Sequence, residues 1–98
     1  MKDVKYINND GTKAIKVLVV SNNQVCLNAL CNLDHALRQK NLVSSGDRVN
    51  HNGGYLMHFS DTQALIENLA VIQDTVQSID QNATIKVYNV DKPQPETL

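Results

Sequence analysis

The stretches VVSNNQ (Val19 to Gln24) and HFSDTQ (His58 to Gln63) say nearly the same thing twice. In each, strand-forming residues run into a Ser, two polar residues and a Gln, and a long amphipathic run follows. Ser21 and Ser60 stand 39 positions apart. A Ser hydroxyl can accept from the backbone N–H three residues on, and a Gln there can reach back to the Ser N–H; this is a capping box. The spacing therefore predicts two helix starts, at Ser21 with Gln24 and at Ser60 with Gln63.

Outward from the first corner, AIKVLVV (Ala14 to Val20) is β-branched and apolar and reads as a buried strand. Beyond it, Cys26, Leu30, Leu33 and Leu37 recur at helical spacing, which predicts a helix to about Lys40. LVSSGDRVN (Leu42 to Asn50) is a weaker strand, with Gly46 suggesting a bulge or an edge position. His51-Asn52-Gly53-Gly54 reads as a loop whose glycines supply positive φ. Tyr55 to Phe59 is the next strand. Leu65, Leu69, Ile72, Val76 and Ile79 then hold an unbroken helical stripe, and ATIKVYNV (Ala83 to Val90) is a last strand.

The order is strand, helix, strand, twice over. That is the pattern of an α+β fold, a ferredoxin-like β-α-β-β-α-β sandwich with an antiparallel sheet and two helices on one face. Residues 14–90 form the single domain, and the polar, proline-bearing tail 91–98 is expected to be disordered. Val4 to Ile7, followed by Asn9-Asp10-Gly11, looks like a hairpin into the first long strand. Residues 1–13 are thus a candidate extra strand; because the first long strand of such a sheet is already central, the segment is a loop, adds at an edge or folds over the open face, or the strand order differs.

Side chains alternate across a sheet. A hydrophobic staple pairing Val20 with Val25 and Phe59 with Ala64 turns Leu18, Val20, Tyr55, Met57 and Phe59 toward the helices. The opposite face then receives Ile15, Val17, Val19, Leu56 and His58, bordered by Lys86 and Tyr88 on one side and by Asp47 and Val49 on the other. An apolar sheet face of this kind calls for a cover.

The composition narrows the function classes. Trp is absent and aromatics are 4%, so the core is aliphatic. A net charge of −1 lacks the basic excess of a nucleic-acid binder, and nucleic acid is not an expected partner. Asn and Gln number 19 without clustering, which reads as coding bias of the kind found in small genes on mobile elements. No run is long enough to span a bilayer, and the N-terminus lacks a signal-peptide core, so a cytoplasmic protein is expected. Cys26 and Cys31, five apart on one helix, point in different directions and read as reduced thiols.

No residue spacing supports a metal or a cofactor. His35 and His51 have no partner ligands at a useful spacing. NHNGG (Asn50 to Gly54) lacks the Lys and the following helix of a P-loop. The third strand, GYLMHF, lacks the basic, aromatic motif of RNA-recognition modules. The expectation is a non-enzymatic binding or regulatory protein, an inhibitor from a mobile element being one form of it, that acts by self-association or on another protein. Its surface would be Val17, Val19, Leu56, His58, Lys86 and Tyr88. The alternative is a cofactor-free enzyme or ligand-binding dimer of the α+β-barrel kind. There His58 and Tyr88 would do acid–base work on a small molecule.

Overall fold

The computed structural model describes residues 4–6 and 14–89. They form strand β1 (Val4–Tyr6), strand β2 (Ala14–Val20), helix α1 (Gln24–Gln39), strand β3 (Val43–Val49), strand β4 (Gly54–Phe59), helix α2 (Thr62–Ile79) and strand β5 (Thr84–Asn89). The fold is α+β: a five-stranded mixed sheet in the order β1-β5-β2-β4-β3, with two helices. Four of its strands pair antiparallel with their neighbours, β2 with β4 and β5, and β3 with β4. The expected wholly antiparallel sheet is corrected by β1, which pairs with β5 in parallel, Val4 beside Ile85. The expected N-terminal hairpin is corrected with it, because β5 stands between β1 and β2. The tail 91–98 lies outside the described residues.

Both helices start later than their serines. The cap of α1 is Asn23, whose side chain accepts from the Val25 and Cys26 N–H groups at 2.9 and 3.2 Å. The cap of α2 is Asp61, which accepts from the Ala64 N–H at 2.8 Å. Asn and Asp cap at least as well as Ser, and here the serines are engaged elsewhere. The Ser21 hydroxyl donates to Asp80 at 2.6 Å, tying β2 to the segment before β5. The Ser60 hydroxyl donates to the Asn41 carbonyl at 2.7 Å, tying β4 to the end of α1.

The turns use Asn where glycine was expected. Helix α1 ends in a Schellman motif, with Asn41 left-handed at φ 62° and the Leu42 N–H on the Leu37 carbonyl at 2.9 Å. In the β3–β4 hairpin Asn50, His51 and Asn52 all have positive φ, at 55°, 55° and 65°, and no glycine does. Gly53 is needed for close approach instead: a Cβ there would lie 3.0 Å from the Asn50 carbonyl oxygen.

The core lies between the sheet and the helices. Cys26, Leu27, Leu30 and Leu37 of α1 and Leu65, Ile72 and Val76 of α2 pack on Val17, Val19, Tyr55, Met57, Phe59, Ile85 and Val87. This corrects the expected faces of β2. Val17 and Val19 are both 0% exposed, beneath the helices, while Leu18 and Val20 lie half-buried on the other side. The register leaves no alternative, because Val17 stands opposite Met57 and Leu18 opposite Leu56. Cross-strand partners share a face. Ile15, expected on the outer face, sits at a register shift between Ala14 and Lys16 and packs against the core, as Val17 and Val19 do.

Candidate functional site: the open face of the sheet

The side of the sheet away from the helices is a surface of three rows. Across the first run Tyr88, Lys16, His58 and Ser45, from β5, β2, β4 and β3. The second runs Lys5, Lys86, Leu18, Leu56 and Asp47, and the third Thr84, Val20, Gly54 and Val49. Of the residues expected here, Leu56, His58, Lys86 and Tyr88 are on this face, and Val17 and Val19 are not. Leu18 and Lys16, which the sequence reading had not placed here, take the centre. Residues 1–3 and 7–13, part of the segment expected as a candidate cover for this face, lie outside the described residues.

The centre is amphipathic, not apolar throughout. Leu18 and Leu56 stand side by side, and Lys16 is next to them in the donor row. Two shallow hollows open on the face and share Lys16, Val49 and Leu56. One, of about 320 Å³, is also lined by Leu18, Asn50 and Tyr88. The other, of about 430 Å³, is also lined by Ser45, Gly46, Asp47 and His58. His58 and Tyr88 are not neighbours. They flank Lys16, two strand spacings apart, which is about 10 Å between backbones. Any chemistry by the pair would approach a ligand from opposite sides of Lys16.

A second polar constellation is buried under the helices. Asp34 is 0% exposed yet charged, and it lies one turn from Leu30 on the apolar stripe of α1. Arg38 grips it with two parallel bonds, Nε to Oδ1 and Nη2 to Oδ2, each 2.8 Å. The same Nη2 donates to the Gly46 carbonyl at 2.5 Å, and the Tyr55 hydroxyl donates to Asp34 Oδ2 at 2.5 Å. Burial pushes the Asp34 carboxyl up, but the bonds from Arg38 and Tyr55 and the guanidinium charge outweigh it, holding the carboxyl below its usual range. Burial, with the Asp34 bond and charge, pushes the Tyr55 phenol well above its usual range. Gly46 has to lack a side chain, since a Cβ there would come within 2.7 Å of Asp34 Cγ. Asp34 and Tyr55 spend their polar groups inside the fold, while the Arg38 side chain stays 38% exposed, so the cluster positions β3 and β4 on α1.

A third cluster braces the corner of α1. Arg48 of β3 donates to Gln24 Oε1 at 2.8 Å and to Asn28, and Gln24 donates to the Asn52 carbonyl at 3.0 Å. Among the described residues, no three His, Cys, Asp or Glu side chains come together as a metal site. No described helix is long and apolar enough to cross a membrane. Comparison of the chain with protein-family models, curated proteins and solved structures finds no match.

Proposed function

We propose that the chain is a small, non-enzymatic binding module that works through the open face of its sheet. In this reading it is a ferredoxin-like sandwich with β1 added at one edge, and the added strand extends the face. The observation that carries it is the half-buried Leu18–Leu56 pair at the centre of the sheet face away from the helices, ringed by Lys16, His58, Tyr88 and Asp47. An apolar centre with a polar rim is the anatomy of a protein-binding surface. A regulatory or inhibitory role and a cytoplasmic setting belong to the same proposal. Cys26 and Cys31 are both free thiols, as a reducing compartment keeps them.

Leu18→Asp and Leu56→Asp test this surface. Both residues are half-buried on the face away from the helices; circular dichroism should show each variant folded, and native mass spectrometry of protein purified gently from its own cells should show the partner of the wild type lost from each. The partner is another protein or a second copy, and the spectrum tells them apart. Retention of the same complex by both variants refutes the proposal. Val17→Asp does not serve as the test. Its carboxylate would fall in the core and unfold the chain.

A further inference from the structure

We infer that the open face recognises an amphipathic anion: a carboxylate or phosphate held by the row Tyr88–Lys16–His58–Ser45, attached to an apolar body lying over Leu18 and Leu56. The inference rests on the binding-surface reading and names the chemistry of what that surface takes. Four side chains with hydrogen-bond donors, from four different strands, stand in one cross-strand row with no acid among them. Lys16, at the middle, has no hydrogen-bond or ion-pair partner among the described residues and reaches both hollows. Among the described residues of the three rows, Asp47 is the one carboxylate. It lies one row away, opposite Leu56, and its Oδ1 already accepts from the Arg48 N–H at 2.8 Å. A cation on a stiff sheet is pre-organised for an anion in a way that a loop lysine is not. The apolar pair one row over fixes which way the rest of the ligand lies.

The probe is anilinonaphthalene sulfonate, an aromatic body with one anionic group, set against phenylnaphthylamine, which has the same rings and no charge. Binding is followed by fluorescence titration and by backbone amide shifts. The sulfonate should move the amides of Lys16, Leu18, Leu56, His58 and Tyr88, and the neutral compound should bind at least tenfold more weakly. Lys16→Met should lower sulfonate affinity about tenfold and leave the neutral compound unchanged. Lys40→Met, at the C-terminus of α1, should alter neither. Equal binding of the two probes at Leu18 and Leu56, untouched by Lys16→Met, overturns the anion while leaving the binding surface intact. Shifts confined to residues off this face overturn it as well, and the Leu18→Asp and Leu56→Asp experiment then judges the surface by itself.

Discussion

Replacing Tyr55 with Phe removes one oxygen from a sealed site, and its cost should depend on pH. Tyr55 is 2% exposed and donates to Asp34 at 2.5 Å. A hydrogen bond to a charged group contributes about 1.5–3 kcal/mol, so Tyr55→Phe should be about 2 kcal/mol less stable at neutral pH. In the folded chain, burial and the neighbouring Asp34 raise the phenol pKa. The unfolded chain gives up the same proton near pH 10, approximately. Above that pH the unfolded state binds fewer protons than the folded one, so stability falls as pH rises. The contribution is therefore whole below about pH 10 and is lost as pH climbs toward the raised native value. One phenol titrating this way removes about 1.4 kcal/mol between pH 9 and pH 11. Phe has no proton to lose, so the deficit of about 2 kcal/mol should shrink to about 0.6 kcal/mol at pH 11. Lysines and the other tyrosines titrate in both proteins and cancel. Urea unfolding followed by circular dichroism at several pH values measures the gap. A gap that stays constant from pH 9 to pH 11 refutes the reasoning, and so does a cost below about 0.5 kcal/mol at pH 7.

The partner of that phenol acts at the other end of the scale. The Asp34 carboxyl is depressed in the fold, so its stabilisation is present above about pH 4 and lost as pH falls through the native value. Asp34→Asn should flatten the acid limb of a stability–pH curve, and an unchanged limb would contradict the pairing with Arg38. Gly46→Ala should cost about 3 kcal/mol or more, because the new methyl displaces a buried ion pair. In an Asp34→Ala background the same change should cost under about 1 kcal/mol, and additive costs in thermal melts would show that the two sites do not meet. His51→Gly should stabilise the protein by about 0.5–1 kcal/mol, by relieving a left-handed residue that is not Asn. A lower melting temperature would count against that hairpin geometry.

The helices were legible because their stripes are long. Leu65, Ile72 and Val76 on α2, and Cys26, Leu30 and Leu37 on α1, are buried as their spacing requires. The sheet faces were half legible, and the reason is a single residue. The 39-position repeat equates Val17 with Leu56 and Val19 with His58. In the fold, two residues separate the end of β2 from the cap at Asn23, and one separates the end of β4 from the cap at Asp61. With a side-chain period of two, that extra residue turns β2 over relative to β4. Val20 therefore faces outward where Phe59 faces inward. The donor row on the open face could not be read, because it depends on cross-strand register, which no local pattern encodes. The buried cluster has a trace in the sequence: Asp34 on the apolar stripe of α1 with Arg38 four residues later, and Gly46 within a strand.

The place of β1 bears on the order in which the chain can be completed. Its backbone partner is β5, the last strand, and sequence puts nearly the whole protein between them. During synthesis β1 emerges first and finds its neighbour last. The pairing of β2 with β4, and of β3 with β4, joins segments far nearer in sequence, and such closures come sooner. Until β5 is delivered, one edge of β2 is bare and β1 has nothing to bind. The sheet is thus finished by its two ends together, and the row that runs from Lys5 to Asp47 exists only in the completed chain.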